Sequence, residues 1–154
     1  MVVNVDLEAM VKDKGKVTRP SDGKEARSVA FLQCGGSTDK EHHSFSSSIC
    51  CMTSLKQAMY VREADQDAKA FIFYEFMRTP GLYEDFLRKA QDDEGVFLTR
   101  GEVTEVVETG DGGLKITAKD TMLGEEIEVE VDLLVLAAGM LPNAADGEAI
   151  RLLE

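Results

Sequence analysis

Basic charge is scarce in this 154-residue chain, where 17 Lys and Arg stand against 29 Asp and Glu for a formal charge of -12. No run of Lys and Arg offsets that balance, so a phosphate backbone is repelled and nucleic acid is excluded as a partner. Long apolar stretches are missing as well. None reaches the roughly 20 residues that a bilayer-crossing helix needs, and the first residues lack the charged-then-apolar order of a secretory leader. Direct membrane insertion is therefore not expected. Nor is there an even set of cysteines: three, two of them adjacent, suit a reducing compartment better than a disulfide framework, which makes the cytoplasm the expected location. Disorder is excluded by 44% hydrophobic and 30% charged residues, a balance that supports one core at this length.

What is present divides into three stretches. Residues 1–27 read as a linker segment, with a short apolar-periodic piece at Val5, Leu7 and Met10 before the turn residues Pro20-Ser21-Asp22-Gly23. Residues 28–143 carry the domain. Its first strand is the apolar run 28–34, which leaves its sheet at Gly35-Gly36-Ser37. Ile49, Met52, Leu55 and Met59 then recur at helical spacing, with Ser46, Ser47 and Ser48 ahead of them as ready N-caps. Residues 68–74 form a second buried strand, and Leu82, Tyr83, Phe86, Leu87 and Ala90 a second helical stripe. A short third strand at 96–99 precedes a hairpin meander at 102–108, 114–119 and 126–132, and residues 133–139, apolar on both faces, form a central return strand. The pattern predicts an α/β, Rossmann-like nucleotide-domain fold: a small doubly wound parallel sheet flanked by helices, plus an antiparallel β-meander. Residues 144–154 form a short acidic tail.

Ligands of such folds sit beyond the carboxyl ends of the strands. A dinucleotide pyrophosphate would lie on the first loop, at Gly35 and Gly36, with Glu75 placed for a ribose and Arg78 for a phosphate. The Gly-x-Gly-x-x-Gly turn that brings backbone close to phosphate is absent, which argues against tight binding of NAD(P) or FAD. Cys50 and Cys51 fall at a predicted helix N-terminus, which favours thiolate, and the loop after the first strand carries Cys34 toward the same place. These thiols read either as metal or redox groups or as packed core residues. Adjacent cysteines chelate one zinc ion awkwardly. His42 and His43 read as further ligands or as solvated loop residues.

The runs Phe31-Leu32-Gln33-Cys34-Gly35-Gly36-Ser37-Thr38-Asp39 and Cys50-Cys51-Met52-Thr53-Ser54-Leu55-Lys56-Gln57-Ala58 resemble the A-type subunit of heterodisulfide reductase and its relatives. Arg19-Pro20-Ser21-Asp22-Gly23-Lys24 and Leu136-Ala137-Ala138-Gly139-Met140-Leu141-Pro142 fit the same family. The resemblance implies a large flavoprotein of thioredoxin-reductase type in which FAD relays electrons between partner subunits. This chain would be its nucleotide-domain-like insert, with no cofactor of its own. Gly139, Met140 and Pro142 would then lie on the flavin side of the full protein.

The family's [4Fe-4S] cluster is held by four cysteines. Cys34, Cys50 and Cys51 match three, and Ser46 stands where the fourth is expected, so a four-iron cluster is not expected here. That departure favours the branch resembling the A-type subunit of the quinone-interacting membrane-bound oxidoreductase. The expected function is an electron-transfer module in sulfate reduction or related anaerobic energy metabolism. Its expected partners are other subunits of a redox complex, membrane-associated in that branch. A self-contained NAD(P)-binding module that donates hydride to a flavin, and a non-catalytic scaffold that docks subunits, are the alternatives.

Overall fold

The computed structural model describes residues 1–37 and 45–140. In chain order its elements are β1 (Val2–Val3), α1 (Asn4–Lys14), β2 (Ser28–Leu32), α2 (Cys50–Ala64), β3 (Lys69–Tyr74), α3 (Tyr83–Gln91), β4 (Val96–Glu108), β5 (Leu114–Asp120), β6 (Glu126–Val131) and β7 (Leu133–Leu136). The strands join in a seven-stranded sheet of order β1-β7-β2-β3-β4-β5-β6. The pairs β1 with β7, β7 with β2, β2 with β3 and β3 with the start of β4 are parallel, whereas β4-β5-β6 is an antiparallel meander.

Side chains on a strand alternate between faces, and this sheet uses each face differently. Val29 and Phe31 of β2, Ala70 and Ile72 of β3, and Leu133 and Val135 of β7 pack in one cluster with Leu7, Leu55, Ala58, Val61 and Ala90 from the helices. Ala30, Phe73 and Leu134, from the opposite face, pack with Ile116, Ala118 and Val131 of the meander. The Rossmann-like α/β fold and its meander are as predicted from the sequence. The doubly wound arrangement is not: the helices of the described residues share one face, because the meander has an apolar side of its own to bury and occupies the other.

The separate strands predicted at 96–99 and 102–108 are one continuous strand. Val96 to Arg100 of β4 run parallel to β3, and from Gly101 onward the same strand pairs antiparallel with β5. Gly101 permits this change of partner, since a Cβ there would lie 2.1 Å from the Lys119 carbonyl oxygen. A register shift between Val103 and Glu105 then adds the local bend of a bulge.

Residues 1–27 are also more than a linker. Val2 and Val3 pair with Val135 and Leu136, and Leu7 is fully buried. The α1 helix is tied to α2 by polar bonds: Gln57 donates to the Asn4 carbonyl and to Glu8, and Lys56 pairs with Glu8. Further on, Thr18 bridges Glu25, and the nearly buried Arg19 guanidinium pairs with Asp22 and Asp132. The Asp132 carboxylate in turn accepts from the Arg27 and Ser28 amides. Turn-forming composition here makes a hairpin anchored across the sheet edge, because its polar groups find partners in the body of the protein.

Candidate functional site

Three chain segments leave the parallel strands at their carboxyl ends and meet the start of α2. After β2 the chain turns sharply, with the Ser37 amide donating to the Cys34 carbonyl at 3.1 Å and Cys34 itself held at φ 58. Left-handed backbone at a non-glycine residue costs on the order of 1–3 kcal/mol, and such strain concentrates at functional sites. After β7, Ala137 donates to the Leu32 carbonyl and packs with Cys50, Cys51 and the half-buried Met77. Gly139 follows at φ 76, and a Cβ there would lie 3.0 Å from Ser47 Oγ and 3.9 Å from Ser37 Oγ. Glycine at this position lets the β7 exit close on both loops.

The serine run does not cap α2 as predicted. The helix starts at Cys50 after Ile49, which already has helical backbone and makes no side-chain cap bond, and Ser48 is left-handed. Two of the hydroxyls have local work instead: Ser46 Oγ accepts from the Ser48 amide at 3.2 Å, and Ser47 Oγ donates to Cys50 Sγ at 3.7 Å.

Both helix thiols are buried, with Cys50 2% and Cys51 1% exposed. The Cys51 sulfur lies 3.6 Å from the Phe76 carbonyl oxygen. Their proton affinities diverge. Hydrogen bonding from the Cys51 thiol holds Cys50 well below the usual thiol range, helped by Ser47 and the first amides of the helix and opposed by burial. The same bond pushes Cys51 far up, as does burial, with the charge of Cys34 adding to it and the Arg78 amide opposing. Among the described residues no group of three or more His, Cys, Asp and Glu side chains is arranged to hold a metal ion, and no disulfide joins the cysteines.

The residues singled out for a dinucleotide are brought together only in part. Gly35 and Glu75 line a cleft of about 1200 Å³ between the ends of β2 and β3 and the first part of the meander. Arg78 instead lines a smaller groove with Ser48, Met77 and Pro80, and its amide faces Cys51. Gly36 is exposed in the turn, and Met140 is exposed just beyond Gly139. Pro142, His42, His43 and the tail at 144–154 lie outside the described residues.

Two residues with roles here were not apparent from the sequence. Ser47 was hidden in a run of like residues. Gln33, the first polar residue after an apolar strand, is only 5% exposed, and among the described residues neither its Oε1 nor its Nε2 has a hydrogen-bond partner. No helix among the described residues is long and apolar enough to cross a membrane.

No protein-family model matches the chain. Among curated proteins it is 36% identical over 150 residues to a CoB–CoM heterodisulfide reductase iron-sulfur subunit of Methanopyrus kandleri, covering 93% of this chain and 23% of that protein. It is also 36% identical over 160 residues to the corresponding iron-sulfur subunit of Methanocaldococcus jannaschii, covering 99% of this chain and 24% of that protein. Among solved structures, L-lysine 6-monooxygenase from Pseudomonas syringae matches with a TM-score of 0.56 at 9% identity, over 92% of this chain and 40% of that one, a likeness of fold. Over nearly its whole length the chain is thus homologous to one region of the A-type subunit of heterodisulfide reductase, and it spans about a quarter of the length of those relatives.

Proposed function

We propose that this chain is an electron-transfer module within the A-type subunit of an FAD-dependent oxidoreductase of heterodisulfide reductase type, working with other redox subunits. The observation that carries this reading is the convergence of a strained Cys34 turn, the β7 exit and the Cys50–Cys51 pair at the carboxyl edge of the parallel sheet. An α/β fold uses that edge for chemistry. FAD belongs to the longer protein in this reading, with Gly139, Met140 and Pro142 on its side of the module.

The relatives named above are iron-sulfur subunits, but the residues present here do not fit a four-iron cluster. Such clusters are held by thiolates, whereas the fourth position is Ser46, a poorly acidic oxygen that accepts from the Ser48 amide in a local turn. No step is routed through a cluster. What the thiols contribute is a buried Cys50 sulfur whose thiolate form is favoured by Cys51, by Ser47 and by the helix amides, beside the segment that leaves for the flavin side. Serine in place of the fourth cysteine supports the quinone-interacting branch over the cluster-bearing one.

The test uses the longer protein. Cys50→Ser and Gly139→Val should slow reoxidation of its reduced flavin by the partner subunits by about tenfold or more, with flavin content unchanged. Anaerobic treatment with iron and sulfide should leave little iron-sulfur absorbance, and Ser46→Cys should raise it. Unchanged flavin reoxidation in both variants would remove the module from the electron path.

A further inference from the structure

Among the described residues β6 pairs only with β5, so the other side of this strand is an open sheet edge. We propose that this edge accepts a β-strand from a partner protein, one in which basic and apolar side chains alternate. Three features of β6 set that chemistry, and the first is the direction of its backbone groups. The Asp120 amide donates to the Glu125 carbonyl at 2.9 Å, and bonded and non-bonded pairs alternate along an antiparallel ladder. Ala118 with Ile127 and Ile116 with Val129 are therefore the bonded pairs, so the amides and carbonyls of Glu126, Glu128 and Glu130 point away from β5. The Ser28 hydroxyl reaches the Glu130 carbonyl from that open side, at 3.3 Å. Among the described residues no strand takes up those of Glu126 and Glu128, which an added strand would use.

The second feature is charge. Glu126, Glu128 and Glu130 are exposed on the solvent face. Opposite them β5 carries Lys119, Thr117 and Lys115 in register, and the Lys115 ammonium lies 2.7 Å from Glu128. Lysine thus already flanks the glutamates on one side, and opposite charges across strands are the stabilising combination. A second copy is disfavoured, because β6 against β6 would set glutamate beside glutamate. Edge charges guard a sheet against indiscriminate pairing, and a guard of one sign still admits a strand of the other. The third feature is the inner face. Ile127 and Val129 pack on the meander core but are only half-buried, so apolar residues of the next strand would cover their open flank. Because β6 alternates charged and apolar, its complement alternates basic and apolar. Just before β6, Met122 and Leu123 are exposed in a turn fixed by the Asp120 carboxylate, which accepts from both their amides. They offer an apolar contact for the end of the added strand.

The full chain is titrated with a fluorescein-labelled heptapeptide that alternates Lys with Val, and with one of the same composition whose lysines are grouped at one end. By anisotropy the alternating peptide should bind with a dissociation constant on the order of 0.1 mM at low salt, about tenfold tighter than the grouped one, and weaken in high salt. With peptide bound, amide exchange should slow about tenfold or more at Glu126 and Glu128 and change least at Ile127 and Val129, already bonded to β5. Glu128→Pro removes an outward amide and no bond to β5, so the fold should survive while peptide binding is lost. Glu128→Gln keeps the amide and should weaken the peptide about threefold. No anisotropy change at millimolar chain overturns the proposal. So does equal affinity for the two peptides, exchange at Glu126 and Glu128 indifferent to peptide, or self-association of the chain that protects those two amides. Should Glu128→Pro fail to fold, the grouped peptide and the exchange pattern decide alone.

Discussion

The two faces of the parallel sheet are closed by different means. On the helical face, large side chains such as Phe31, Leu55 and Leu133 are fully buried, and polar bonds among Asn4, Glu8, Lys56 and Gln57 set how α1 lies on α2. On the meander face the cover is thin: Ile116, Ala118 and Val131 are buried against the sheet, while the far side of β6 presents Glu126, Glu128 and Glu130. The difference teaches where ligand space arises. Helices pack tightly up to the strand ends and bring thiols there. The meander departs from the sheet at Gly101, and the cleft opens beside that departure.

The comparison breaks most sharply at the core. Phe31→Ala on the helical face should lose about 3–5 kcal/mol of stability, and Ile116→Ala on the meander face about 2–4 kcal/mol. Urea denaturation measures both, and a larger loss at Ile116 would mean that the meander, not the helices, holds the sheet together. Next comes Gly101→Ala, where a Cβ meets the Lys119 carbonyl carbon and oxygen. The strands must shift to relieve it, at about 1–3 kcal/mol, and the cleft should change shape with them.

A smaller effect follows from the thiols and carries a sign. Cys50 titrates lower in the folded chain than in the unfolded one, so its contribution is fully present above the unfolded thiol value near ~8.5 and is lost as pH falls toward the folded value. Cys51 is shifted up, so its contribution is present below ~8.5 and is lost as pH rises through its folded value. Stability should therefore rise from pH 6 toward 8 by this pair, and Cys50→Ser should flatten the rise in thermal scans. Smallest of all, Lys115→Ala removes an ion pair with Glu128 on the exposed side of the meander. It should change stability by less than about 1 kcal/mol and leave the helical face untouched, as amide exchange would report.

Strand and helix type were legible wherever an apolar pattern was strong. The runs at 28–34 and 133–139 contain β2 and β7, and the spacing from Ile49 to Met59 announces α2. Where the sequence misled, local signals were weaker than distant partners. Turn residues before Arg27 suggested a linker because nothing local shows that Arg19 will find Asp132, more than a hundred positions away. Gly101 suggested a break between strands because its need for close approach to β5 is invisible without β5. Glu75 and Arg78 lie three positions apart, yet they line different depressions.

By itself the sequence determined the α/β class, the acidic balance and the presence of three thiols near strand ends, because apolar periodicity, charge and residue type are properties of the chain in order. Only the tertiary structure decided that the helices share one face, since that choice depends on what the meander covers. It also decided how the proton affinities of the two helix thiols diverge. Cys50 and Cys51 are chemically alike and adjacent, and only their mutual contact, burial, and the placement of Ser47 and the helix amides lower the one and raise the other.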